Sequence, residues 1–357
     1  MILRPIPILA GALMLATSAS AQVSLTPPAA ETPAAKPQAK AAPKPPAAAK
    51  KPPATDAKPA GKPPSPPPAA AATPPSAPED PNVDLVYGAY QRGKYKTAFD
   101  LATVRARAGD PKAMTMLGEL YANELGVRRD DAKAVEWYKR AADAGDREAM
   151  FALAMMRIAG RGAPADRLEA VKLLAAAAKL GEPKAAYNLA LLYLDGQTLP
   201  QDLKRAAELL RMAADAGSPE AQYALATFYK EGTGVEKDLE KAVRLLQAAA
   251  LADNVDAEVE YAIALYNGTG TPKNQPAAVA LLRKAAHQNS PIAQNRLARV
   301  LVTGQGAPMD KIEGLKWHVI AKTSGKGDLF LDEAFAQLSP EDRAKVEDAA
   351  RRWLNVK

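Results

Sequence analysis

The sequence predicts an all-α fold, a solenoid of stacked helix pairs preceded by a disordered N-terminal region. Three observations carry that prediction. One 36-residue unit recurs six times between Ala108 and Thr323 without insertion or deletion. Each unit holds two apolar stripes at helical spacing, and each boundary falls on residue types that start or stop helices. A fixed period of this size marks units that cannot bury an apolar face alone and do so by stacking.

Within a unit, the first helix opens on the cap series Asp110, Asp146, Glu182, Ser218, Asn254 and Ser290. These side chains accept bonds from free helix N–H groups, Glu182 being the poorest of the six. Pro111, Pro183, Pro219 and Pro291 follow at the first helical position, where a missing N–H costs nothing. Ala113, Met116, Leu117, Leu120 and Tyr121 then trace one helical face. Glycine pairs such as Gly160/Gly162, Gly232/Gly234, Gly268/Gly270 and Gly304/Gly306 mark the turn between the helices. A phosphate-binding loop is excluded there, because no strand precedes the pairs and neither GxGxxG nor GxxxxGK[ST] is completed.

The second helix opens on Asp130, Asp166, Asp202, Asp238, Asn274 and Asp310, six capping residues in register. Its apolar face runs through Ala134, Val135, Trp137, Tyr138, Ala141 and Ala142. It ends at Gly109, Gly145, Gly181, Gly217, Asp253 and Asn289, the types that best tolerate the left-handed conformation after a helix. Two alanine series fix the stacking: Ala113, Ala149, Ala185, Ala221, Ala257 and Ala293, and Ala141, Ala177, Ala213, Ala249, Ala285 and Ala321. A one-carbon side chain at a helix crossing allows close approach.

Segments such as Ser218 to Ala250 (SPEAQYALATFYKEGTGVEKDLEKAVRLLQAAA) and Asp110 to Asp143 closely resemble the Sel1-like repeat, a relative of the tetratricopeptide repeat. The resemblance covers residues 108–323. It implies an α/α superhelical solenoid, right-handed, of antiparallel Sel1-like (TPR-like) helix pairs, and a role in holding other proteins. Residues 81–107 keep Ala98, Phe99 and Leu101 in register but carry Lys94 in place of the cap Asp, and read as an N-terminal capping helix pair. Residues 324–357 read as C-terminal capping helices, one near Leu329 to Gln337 and one opened by Ser339-Pro340-Glu341-Asp342. Val346, Trp353 and Leu354 are expected to close the last apolar face.

The front of the chain differs in kind. Residues 1–21 have Arg4, a short apolar core from Ile6 to Ala16 and the small-residue end Ala19-Ser20-Ala21, the layout of a signal peptide cleaved after Ala21. A periplasmic location is the expectation, with no transmembrane span after cleavage. Residues 22–80 contain 18 Pro, 18 Ala and 7 Lys, a composition with almost nothing to bury and therefore a disordered linker. Its lysines give weak attraction to anionic cell-wall polymer a chemical basis, although the segment reads first as a solvated spacer. Of the net charge of +7, this front region accounts for more than half, and no basic helix face with interleaved aromatics follows it. Nucleic acid is therefore not an expected partner.

Catalytic chemistry finds little material. There is no Cys, which excludes disulfides and thiolate metal sites, and the two His residues, His287 and His318, have no partner at ligand or triad spacing. No enzyme, cofactor or metal is expected. The resemblance to the tetratricopeptide fold points instead to a concave groove lined by the first helices. Its exposed places are the fifth and ninth of each repeat: Thr115 and Glu119, Phe151 and Met155, Tyr187 and Leu191, Tyr223 and Thr227, Val259 and Ile263, Asn295 and Arg299. The middle of that series is apolar and aromatic and suits a peptide, with aromatic anchors supplying binding energy. The expected function is a non-enzymatic protein-interaction scaffold or regulator in the cell envelope, with periplasmic sensor-kinase inhibition as a special case. The alternative is a peptidoglycan- or polysaccharide-associated envelope protein.

Overall fold

A computed structural model describes residues 85–355. The signal sequence read over 1–21 and the Pro/Ala/Lys-rich linker over 22–80 lie outside the described residues. Within them the chain forms 16 helices and no strand. Two precede the repeats, α1 (Leu85–Gln91) and α2 (Tyr95–Arg107). The repeats follow as pairs: α3 (Pro111–Ala122) with α4 (Asp131–Asp143), α5 (Arg147–Ala159) with α6 (Arg167–Lys179), and α7 (Pro183–Asp195) with α8 (Leu203–Asp215). The remaining pairs are α9 (Pro219–Glu231) with α10 (Leu239–Leu251), α11 (Val255–Asn267) with α12 (Gln275–His287), and α13 (Pro291–Thr303) with α14 (Lys311–Thr323). Two further helices close the chain, α15 (Leu329–Ala336) and α16 (Pro340–Asn355).

Each helix packs chiefly on its neighbours in sequence, the arrangement of a solenoid. The capping chemistry explains why the boundaries repeat. Asp130, Asp166, Asp202, Asp238, Asn274 and Asp310 each accept a bond from the N–H three residues on, at 2.9 to 3.1 Å. Their own N–H groups bond back to the first helix, as Asp238 does to the Tyr229 carbonyl at 2.9 Å, so one residue both closes the turn and opens the helix.

The junction between repeats is equally economical. Gly217 N–H donates to the Ala214 carbonyl (2.9 Å) and Ser218 N–H to the Ala213 carbonyl (3.0 Å), the paired bonds that terminate a helix through a left-handed residue. Ser218 then caps α9 with its hydroxyl. Asp253 and Asn289 adopt the same left-handed conformation at φ 60° and 68°, so the two non-glycine members of the series do the same work. Glu182 does cap α7, through a 3.4 Å contact to the Lys184 N–H.

The core is the alanine seam flanked by leucines. Ala141, Ala177, Ala213, Ala249, Ala285 and Ala321 are all at 0% exposure, and Leu117, Leu153, Leu189, Leu225 and Leu297 lie beside them, all buried. At the C-terminal end α16 packs on α14 and buries Val346 and Ala350. Trp353 is half-buried and meets Trp317 edge-on at 5.0 Å, but Leu354 is 42% exposed and does not close the face as the sequence suggests. Leu354 lies in the last turn of α16, where Trp353 rather than Leu354 meets α14. Lys94 has no side-chain cap bond, so α2 starts without the device used by the six repeats.

Ion pairs tie adjacent repeats. Asp131, at the start of α4, receives Arg161 Nη2 from the next repeat at 2.8 Å and Arg129 Nη2 at 3.0 Å. These guanidinium bonds lower the Asp131 carboxyl from 3.8 to about 2. A carboxyl depressed in the folded state adds stability above its unfolded value, and that stability drains away as pH falls from about 3.8 toward 2. Between pH 5 and pH 2.5 the parent chain should therefore lose about 1 kcal/mol more than Asp131→Asn, by urea unfolding, the small size reflecting partial exposure. Equal losses would mean that the pair is fully screened.

Candidate functional site

The first helices stand side by side. Thr115 of α3 donates to the cap Asp146 of α5 at 3.1 Å, and Lys230 of α9 pairs with Glu260 of α11 at 3.1 Å. Equivalent positions on successive first helices therefore form one continuous face. Eleven of the twelve fifth- and ninth-place residues are half-buried on it. The exception is Val259, 3% exposed, which corrects its placement on an open surface: it belongs to the core with Ala262 and Leu265.

The two ends of the series are absorbed by the fold. Thr115 bonds the neighbouring cap and its own helix carbonyl at Pro111, while Glu119 accepts the Tyr138 phenol at 3.2 Å. Inside the series, in the fourth repeat, Thr227 also returns its hydroxyl to the Tyr223 carbonyl. At the far end, Asn295 donates to the Lys326 carbonyl (3.3 Å), and Arg299 forms a two-point ion pair with Asp328, the cap of α15. That helix lies against α13, where a seventh first helix would stand, with Leu331 at 0% exposure in the fifth place. Asn295 and Arg299 thus bind the chain's own C-terminal segment.

What remains is a central apolar lane. Phe151 and Tyr187 lean on one core cluster, Tyr223 on the next and Ile263 on a third, while Met155 and Leu191 fill the ninth places between them. Ile158 and Leu194, one turn further along α5 and α7, are also half-buried and extend the lane. The period could have supplied them, since they occupy the twelfth place of their repeats.

Carboxylates gather at one end. Burial, then Glu260, Asp256 and Glu231, push the Tyr223 phenol up to about 12. Burial and Glu220 raise Tyr187 in the same direction. Both phenols stay protonated at neutral pH and present O–H donors.

The fold also assembles pairs invisible in sequence. His318 is 1% exposed, with Nε2 at 2.9 Å from Asp332 Oδ1, and Lys322 reaches the same oxygen at 2.6 Å. The carboxylate comes from α15, fourteen residues on, so helical spacing gives no sign of it. Glu258, at 0% exposure, meets Lys284 of α12 at 2.6 Å. His287 packs edge-on against Trp317 and Trp353 at 5.1 and 5.2 Å. Among the described residues no three His, Cys, Asp or Glu side chains converge on a metal-sized site, and no helix is long and apolar enough to cross a membrane.

Helix-pair repeats with a continuous first-helix face define the class: an α/α solenoid of the kind that serves as a protein-interaction scaffold. The Sel1 repeat model matches six consecutive segments, 111–146, 147–182, 183–218, 219–254, 255–290 and 291–325, more than half of the chain. This chain belongs to the Sel1 repeat family. Among solved structures it is similar to a Sel1 repeat protein from Oxalobacter formigenes, at 28% identity and TM-score 0.61, over 68% of this chain and 100% of that one. It is also similar to a protective antigen of uropathogenic Escherichia coli displaying an SLR fold, at 25% identity and TM-score 0.52, over 73% of this chain and 64% of the other. Comparison with curated proteins returned no match.

Proposed function

We propose that this chain is a non-enzymatic scaffold or regulator of the bacterial cell envelope that holds a partner protein or peptide on its first-helix face. The observation that carries the reading is the lane of Phe151, Met155, Tyr187, Leu191 and Tyr223, half-exposed on a surface whose flanking polar positions the fold itself uses. Large aromatic side chains seated on a rigid support contribute binding energy at low entropic cost, and Met adapts to variation in the partner. The signal-peptide layout of residues 1–21 supports export to the periplasm.

The test is a pull-down from envelope extract with the parent chain and with Phe151→Ala/Tyr187→Ala. The double variant should lose the captured partner while keeping its helical circular dichroism, because both side chains sit at the edge of the core. Capture at parental level would move the site off this face.

A further inference from the structure

Resting on that reading, we infer that the occupant of the first-helix face is a basic peptide segment that also carries apolar side chains. The lane itself has no sign, and the charges at its α9–α11 end do. Helices α9 and α11 carry Glu220, Glu231, Asp256, Glu258 and Glu260 against the single cation Lys230. Glu258 is buried and turned to Lys284, and Lys230 is already paired with Glu260. Glu220, Glu231 and Asp256 are exposed.

The second helices on either side reverse this balance. In α10, Lys241 and Arg244 outnumber Glu240, and α12 carries Arg283 and Lys284 with no acid. Negative charge is thus gathered on α9 and α11 beside Tyr187 and Tyr223, whereas α5 and α7 hold Arg147, Arg157 and Lys184 against Glu148 and Asp195. Such a border attracts Lys and Arg, whose stems lie on the aromatic rings while their heads meet carboxylates. It repels an acidic ligand of the same apolar content.

The experiment is fluorescence anisotropy on the full chain with two labelled peptides of about 15 residues, matched in Leu and Tyr content, one with Lys and one with Glu at every other position. The Lys peptide should bind at least about tenfold more tightly, a difference of about 1.4 kcal/mol. Glu231→Lys/Asp256→Lys, both at exposed positions, should remove about tenfold of that affinity, and added salt should weaken binding. Phe151→Ala/Tyr187→Ala should weaken it as well. Equal binding of the two peptides, no binding of either, or indifference to the charge reversal would overturn the inference. So would Lys-peptide binding that survives loss of Phe151 and Tyr187, since that is adhesion elsewhere. Partner capture that depends on Phe151 and Tyr187 would stand in each of these cases, which separates failure of the charge argument from failure of the face.

Discussion

Gly234→Ala is expected to lower stability by about 3 kcal/mol, against about 1 kcal/mol for Gly217→Ala, in urea unfolding of the full chain. Both glycines are left-handed, at φ 66° and 89°, so each alanine meets the same backbone penalty. They differ in what surrounds them. A methyl on Gly217 has nothing within 4 Å, whereas one on Gly234 would stand 2.6 Å from the Leu203 carbonyl carbon and closer still to its oxygen. Leu203 is the first residue of α8 in the preceding repeat, so the clash pushes neighbouring repeats apart. The contact is periodic: Gly162 lies on Asp131 and Gly270 on Leu239 in the same way. Equal costs at the two sites would show that this turn is held by its φ alone.

Ala190→Leu is expected to destabilise by about 1 to 3 kcal/mol and to lower the melting temperature by several degrees. Ala190 is at 0% exposure in the core cluster formed by α5 to α9, flanked by Leu189 and Leu192. Three added carbons there require the repeats to separate or leucine rotamers to strain. Ala226, at 1% exposure two helices on, should respond alike. Ala175→Leu, on the exposed side of α6, is the control and should leave the melt unchanged. An unaltered melt for Ala190→Leu would show that close packing of the repeats does not require a small side chain there.

The parts legible in the sequence share one property. A cap such as Asp238 acts on Lys241, three residues away, and Gly217 on Ala214, so the chemistry that starts and stops each helix lies within a short window. Repetition then turns a weak local signal into a strong one, because the same residue types fall at the same place six times. The apolar stripes and the alanine seam follow from that register. Leu354 escaped it: helical spacing puts it beside Trp353 on one stripe, but only the tryptophan turns onto α14.

The candidate face was legible only in part. Its fifth and ninth places were implied by the resemblance to the tetratricopeptide fold and carried along the chain by the period, and the central residues stand half-exposed there. Which members are free to meet a partner was decided by contacts at long range. Arg299 and Asn295 are occupied by Asp328 and Lys326, 29 and 31 residues on, and Val259 sinks into the core. His318 finds Asp332, and Glu258 finds Lys284, through the same kind of distant pairing.

By itself, then, the sequence determined the repeat, its helix boundaries and its close alanine stacking, since capping, turning and periodic burial act between residues a few positions apart. The tertiary structure alone decided which of the lined-up side chains remain open and where charge collects. Those outcomes depend on which repeat stands next to which, and on a C-terminal segment that breaks the period and takes the last place on the face.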